Sequence, residues 1–483
     1  MPKTILIFAD GTGQAGGVRP DQQLSNIYKL FRATRVGPDS AIDPKRQVAF
    51  YDPGLGTATA AGRVRLNAWQ RLKSLAGLAC GLGFSRNVVD CYEAILKRYE
   101  PGDRIFLFGF SRGGYTVRCV ANVLNLCGVP TGDGRGGPLP RAGRALRAIA
   151  EEAVTRVYEH GAGHPRERFE SQREAIARRF RRKYAAGDDP HRGDVHPEFV
   201  GVFDAVAALG LPLPTRMLLI LAGLLVALMA AIAIGAASES WLGGGGWIAF
   251  AATLAALGLS VAAAYLKATL RYASADVRGG GPRFHLALWN SEHYDRLLDP
   301  RIAQVRHALA IDENRRQFGR VTWGGSGNRQ QIEEGRFKQR WFAGNHSDIG
   351  GSYPEDESRL SDIALAWMVD ELQKLPQPIQ LDRGKLQLYP DACGLQHCEI
   401  FAQRQRHPWL SRIAAWPRAA RAPGPDLDPS VRERLQAQSV TICDLKTAYR
   451  PDALRRHRGL EAYYPAAAAD VAAAAETSQP SAP

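Results

Sequence analysis

Ser111 sits in GFSRGGYTVR, where Gly109, Ser111 and Gly113 occupy a G-x-S-x-G frame. A serine hydroxyl is a weak nucleophile at neutral pH. It needs an adjacent base, and the base needs a group that orients it. Asp204, in FVGVFDAVAALG, and His346, in WFAGNHSDIGGSY, follow Ser111 in the order serine, acid, histidine. That set implies acyl transfer: His346, oriented by Asp204, takes the Ser111 proton, Ser111 attacks an ester carbonyl, and water releases the acyl group. Asp348 is a second candidate for the acid, and His397, His407 and His457 are alternative bases. The Arg112 N–H, at the start of the following helix, is one natural oxyanion donor. Asp10, Gly11 and Thr12 supply either a second donor and a pocket contact, or only a turn held by its Asp and Thr side chains. Gly54, Gly56 and Thr57 form a third loop, either structural or lining the pocket. The chemistry needs no metal and no organic cofactor. Cys393, His397 and Cys398 are too few ligands for a structural zinc site.

These residues need a scaffold that gathers strand ends. TILIFAD runs into the loop DGTGQ, QVAFYD into PGLGT, and RIFLF into the turn GFSRG, followed by the helical pattern GYTVRCVANVL. PEFVGVF ends at Asp204, and the strand before His346 ends in AGNH. Asn87 to Tyr99, Glu151 to Tyr184, LDPRIAQVRHALAIDE and LSDIALAWMVDELQKL read as helices. Alternating strands and helices predict an α/β fold, a doubly wound, mostly parallel sheet whose strand ends share one crevice. Residues 1–210 and 273–460 form its two parts. Ser411 to Pro429 reads as a Pro-, Ala- and Arg-rich surface linker, and 461–483 as a disordered tail.

Between the two parts lies an insertion, 211–272. Met217 to Ala237 and Trp247 to Leu266 carry no charge, and each is long enough to span a bilayer as a helix. Trp241 and Trp247 stand where interfacial anchors are expected. Arg216 precedes the pair and Lys267, Arg271 and Arg278 follow it, so both flanks are expected in the cytoplasm and the connector outside. The alternative is a pair of buried helices in a soluble core. A hairpin at 217–237 and 247–266 makes a membrane lipid the expected substrate.

The formal charge is +14, with basic residues spread along the chain. The densest run, REAIARRFRRKY, reads as an amphipathic helix with a solvated basic face, or one facing anionic lipid. No zinc-finger spacing or RNA-binding aromatic pattern accompanies it, so a nucleic-acid partner is not expected. Seven scattered cysteines suggest no disulfide framework and a reducing compartment. MPKTILIFADGT reads as a strand rather than a secretory leader.

FADGTGQ, LSNIYKLFRAT, YDPGLGT, GFSRGGYTVR, FVGVFDAVAALG, HALAIDENR and WFAGNHSDIGGSY occur in this order from residue 4 to about 375, with a weaker match at YRPDALRRH. Together they resemble the alpha/beta-hydrolase domain of the type VI secretion lipase effector (phospholipase) family, the "domain of unknown function 2235" group. The resemblance implies a bacterial serine esterase, with phospholipases among its relatives, and carries the family's serine, acid and histidine onto Ser111, Asp204 and His346. Gln14 departs from the asparagine usual after DGT, and the hairpin is an insertion that secreted effectors need not carry. The expected location is therefore a bacterial inner membrane with the hydrolase part on the cytoplasmic side. The alternative is a delivered effector that inserts into a target membrane; no secretion or immunity partner is identifiable from sequence. Two other readings stay open: a hydrolase of small soluble esters, and a membrane-anchored binding module without catalysis.

Overall fold

The computed structural model describes residues 2–11, 13–14, 16–17, 23–54, 82–187, 192–206, 213–273, 282–287, 295–315, 318–324, 326–406 and 421–464. The expectations for Thr12, Gly56, Thr57, His407 and residues 465–483 of the 461–483 tail lie outside them; the start of that tail is ordered instead, since Glu461–Tyr463 forms a 3₁₀ turn and Tyr464 is buried in an apolar core.

Six strands form the central sheet: β1 (Thr4–Ala9), β2 (Gln47–Asp52), β3 (Arg104–Phe110), β4 (Phe199–Phe203), β7 (Gln304–Ala310) and β8 (Phe337–Phe342). Their order is β2-β1-β3-β4-β7-β8, and every pair is parallel. The near-continuous apolar runs of β1 and β3 fit a parallel sheet covered on both faces. Side chains alternate between two cores. Ile5, Ile7, Ile105, Leu107, Val200 and Val202 join one. Leu6, Phe8, Phe106, Phe108, Phe199 and Phe203 join the other. Helices α2 (Leu82–Arg98), α3 (Arg112–Cys127), α4 (Gly143–Glu151) and α5 (Arg166–Tyr184) contribute to the first core, and α1 (Asn26–Thr34) and α10 (Arg359–Gln373) to the second. The strand order reverses between β1 and β3, so the loops leaving these two strands flank the crevice where such sheets bind ligands.

The stretch LDPRIAQVRHALAIDE corrects the helical expectation. Gln304–Ala310 is a sheet strand, buried from Val305 onward, between β4 and β8. A short apolar run carries no reliable period, and here two neighbouring strands recruit it. The expected helix Glu151 to Tyr184 is interrupted by a π-helical stretch, Glu152–Val157, a 3₁₀ turn and a loop before α5.

The insertion forms α6 (Leu213–Leu242) and α7 (Gly246–Thr269), each longer than its uncharged run. Gly235 and Gly246 let the two backbones approach closely, since an added Cβ at Gly235 would lie 2.8 Å from the Gly246 carbonyl. Of the most apolar 18-residue window within Leu221–Trp241 only 11% is buried in the protein, and of the one within Gly246–Thr269 0%. These helices are therefore not core helices of this chain. A two-stranded ribbon, β5 (Leu270–Tyr272) with β6 (Phe284–Leu286), directly follows α7.

The remaining α-helices among the described residues are α8 (Arg329–Glu333), α9 (His346–Gly350), α11 (Glu399–Arg406) and α12 (Pro429–Gln436). With α12, the ribbon β9 (Val440–Ile442) and β10 (Leu445–Thr447) lies beside a third core around Trp341, Val431, Leu435 and Tyr449. Cys398 and Cys443 form a disulfide, with Cα atoms 5.3 Å apart. Sequence spacing suggested none, because the two lie 45 residues apart and meet only where the Gln396 backbone pairs with those of Thr441 and Cys443.

Candidate active site

Ser111 occupies the turn between β3 and α3 with φ 57° and ψ −124°. A non-glycine residue in this region carries strain of about 1–3 kcal/mol and needs surroundings that enforce it. Those surroundings are present. The Ser111 N–H donates to Phe203 O at 3.0 Å, and its carbonyl accepts from Val206 and Tyr115. The flanking glycines let α3 seat against the strand ends: a Cβ at Gly113 would collide with the Ala9 carbonyl, and one at Gly109 with the Gly113 carbonyl. Ser111 is the N-cap residue of α3, yet its side chain makes no capping bond, which leaves Oγ free.

Asp204 ends β4, is fully buried and also has positive φ, 37°. His346 begins α9, just past β8. The two side chains meet, with His346 Nδ1 2.6 Å from Asp204 Oδ2. The imidazole stacks on Phe110 at a centroid distance of 4.7 Å and meets the edge of Phe318 at 4.9 Å. Phe110 directly precedes Ser111, so the ring packs against the serine's own strand end. No hydrogen bond joins Ser111 to His346 here; such contacts are often long without substrate.

Asp204 Oδ1 accepts the Ala310 N–H at 3.1 Å and Arg421 Nη1 at 2.5 Å. Arg421 Nη2 lies 3.1 Å from Oδ2. Burial alone would raise the Asp204 carboxyl, but Arg421 and His346 hold it well below the usual carboxylate range. Arg421 corrects the linker expectation: within 411–429 this residue is buried, at the centre of the site. No local pattern marks it, because its burial comes from one distant carboxylate.

Asp348 does not reach His346. It completes a capping box with Asn345 and pairs with His397, Oδ1 to Nδ1 2.8 Å. His397 also holds Glu357 at 3.1 Å and stacks on Tyr353. His457 bonds backbone carbonyls. Asp10 is buried and accepts from Ser25 Oγ at 2.5 Å, Tyr51 Oη at 2.7 Å and its neighbour Gly11 N–H at 2.7 Å. Burial pushes its carboxyl up to about 6 despite these donors. Asp10 therefore organises the loop, and the Gly11 N–H is already engaged. An added Gly11 Cβ would lie 3.4 Å from Ser111 Cβ, which puts this loop directly beside the serine. A cavity of about 580 Å³, lined by Lys29, Arg32, Lys385 and Tyr389 among others, contains none of Ser111, Asp204 or His346.

A family model described as "T6SS, Phospholipase effector Tle1-like, catalytic domain" matches residues 3–239 and 252–371. The chain belongs to this family. A curated relative, the uncharacterized protein YEL023C of Saccharomyces cerevisiae, is 31% identical over 131 residues, which is 26% of this chain and 18% of that protein. An uncharacterized protein from Pseudomonas aeruginosa, seen in a crystal structure, is 15% identical with a TM-score of 0.31 over 86% of this chain and 51% of its own. The Tle1 effector bound to the VgrG spike from the type 6 secretion system is 17% identical with a TM-score of 0.27, over 74% of this chain and 53% of its own. The Tle1-like chain thus spans about half the length of these solved proteins and a smaller share of the curated one.

Proposed function

We propose that this Tle1-like protein is a serine esterase acting on a membrane lipid, most simply a phospholipid, through an acyl-enzyme on Ser111. The observation that carries the reading is the 2.6 Å contact between His346 and Asp204 at the strand ends that flank a strained Ser111. Asp204 fixes the imidazole so that Nδ1 keeps its proton and Nε2 is left to accept one from Ser111. The Ser111 oxygen attacks the ester carbonyl, and the Arg112 N–H, at the positive end of α3, faces the developing oxyanion. The protonated imidazole then gives its proton to the leaving alcohol. Water, deprotonated by the same nitrogen, releases the fatty acid and restores Ser111. Because the Gly11 N–H already donates to Asp10, any second oxyanion donor must come from another group.

The lipid substrate follows from the exposed apolar hairpin, Leu221–Trp241 with Gly246–Thr269. An enzyme held in the bilayer meets its ester at the interface. In this reading the hairpin flanks and the hydrolase part face the cytoplasm. One observation favours the delivered location instead: the Cys398–Cys443 disulfide, since disulfides persist in oxidising compartments. A maleimide probe that cannot cross membranes, applied to intact cells carrying Ser240→Cys, labels the connector only in the first topology. The catalytic reading is tested by comparing wild type and Ser111→Ala on a phospholipid panel and on short-chain esters. Hydrolysis that survives in the variant refutes the serine mechanism. Activity confined to short-chain esters refutes the lipid substrate.

A further inference from the structure

Arg421 lies beyond the family-matched residues, which end at 371, yet it is the cation on the acid of the proposed triad. It is buried, and its guanidinium is held by four contacts. Two go to Asp204, one to the Ala310 carbonyl at 3.1 Å and one to the Phe318 carbonyl at 2.6 Å. The two carbonyls fix the plane of the fork, and the fork fixes the carboxylate. Phe318 also packs on the His346 ring, so one clamp spans acid, base and the wall behind the base. A guanidinium paired with the acid of a serine–histidine couple keeps that acid ionised and holds its oxygens in place.

We propose that Arg421 is a positioning residue for the reaction, supplied by the C-terminal segment, which locks Asp204 in the pose that orients His346. The inference rests on the reading that Asp204 orients His346. Other charged and titratable groups face the pair. Glu313, tied to Arg315, accepts the His346 backbone N–H at 3.3 Å. His307 on β7 feels Asp204, Arg421, Arg118 and Arg320, and burial drives its imidazole down to about 3, so it stays neutral. Of these, only Arg421 touches the carboxylate oxygens that His346 uses.

The test uses the full-length protein in detergent, with steady-state ester hydrolysis for wild type, Arg421→Ala, Arg421→Lys and Ser111→Ala. Arg421→Ala is expected to lose about 10²-fold in kcat, the scale of a misplaced catalytic group, with KM changed far less. Added methylguanidine should restore part of the kcat. Arg421→Lys keeps the charge but loses the fork, so it should also lose kcat at a nearly unchanged KM; it serves as well if the alanine variant does not fold. A folded Arg421→Ala variant with unchanged kcat overturns the inference. Loss of kcat with a matching rise in KM, or with no guanidine rescue, also overturns it, since that pattern is plain structural damage. Hydrolysis that survives Ser111→Ala overturns the underlying reading instead, so the two failures are distinguishable.

Discussion

Replacing Asp204 by asparagine changes two things at once, and the structure sets the size of each. The carboxylate binds His346 Nδ1 through Oδ2, while Oδ1 serves Ala310 N–H and Arg421. Arg421 and the Ala310 N–H are donors, so the amide oxygen of asparagine takes the Oδ1 place. Its NH2 group then points at His346 and demands an accepting Nδ1. The imidazole proton moves to Nε2, which can no longer take the Ser111 proton. A wrong tautomer of this kind costs about 10⁴-fold in kcat, or about 5 kcal/mol in the barrier. Arg421 meanwhile loses its counter-charge in a buried place, a loss of about 3–5 kcal/mol of stability. Titrimetric release of fatty acid or short-chain acid gives the first number, and chemical denaturation of the detergent-solubilised protein gives the second. A folded Asp204→Asn protein that hydrolyses within about tenfold of wild type would refute the orienting role. Unchanged stability would refute the buried ion pair.

Three more outcomes follow from the same geometry. Gly113→Ala should destabilise the protein by about 1–3 kcal/mol and reduce esterase activity, because the new methyl meets the backbone carbonyls of Ala9 and Asp10 rather than a flexible side chain; a neutral thermal melt would contradict this. Stability against pH should peak on the acid side. Burial holds Asp10 and Asp312 up at about 6 and Asp52 at about 8, so ionising them costs stability as pH rises through those values. Asp204, held low by its partners, and Glu371, lowered to about 2 by Lys374, Arg306 and Lys338 against its burial, contribute stability that is lost as pH falls below about 4. A melting temperature rising steadily from pH 4 to 8 would contradict the balance. Leu225→Arg places a charge at a side chain that is 60% exposed in α6, so it should leave the soluble fold intact while costing about 2.5–3.5 kcal/mol of membrane insertion. Unchanged recovery in the membrane fraction would contradict the bilayer reading.

Much of the fold was readable because local signals agreed. Apolar runs ending in Asp10–Gly11, Gly109–Gly113 and Asp204 announced parallel strands with polar ends, and Gly128 closed α3 as expected. The elbow was legible because a strained serine needs glycines at fixed offsets. What escaped depended on tertiary partners. Gln304–Ala310 is a strand because β4 and β8 hydrogen-bond to it, whatever its local pattern allows. Cys398 and Cys443 meet because the Gln396 backbone pairs with those of Thr441 and Cys443. Asp348 stood as a second candidate acid for His346, and its pairing with His397 depends on a residue 49 positions further along the chain. Arg421 carried no signal, because one arginine in an arginine-rich stretch looks like solvent-facing charge until its carboxylate is found.

The central claim is that Ser111 is a nucleophile activated by His346. Reaction of the folded protein with a fluorophosphonate probe, read by intact mass and peptide mapping, tests it most directly. One adduct on Ser111 is predicted, absent in Ser111→Ala and strongly slowed in His346→Ala and Asp204→Asn. An unlabelled but folded protein, or an adduct on another residue that survives Ser111→Ala, would contradict the account.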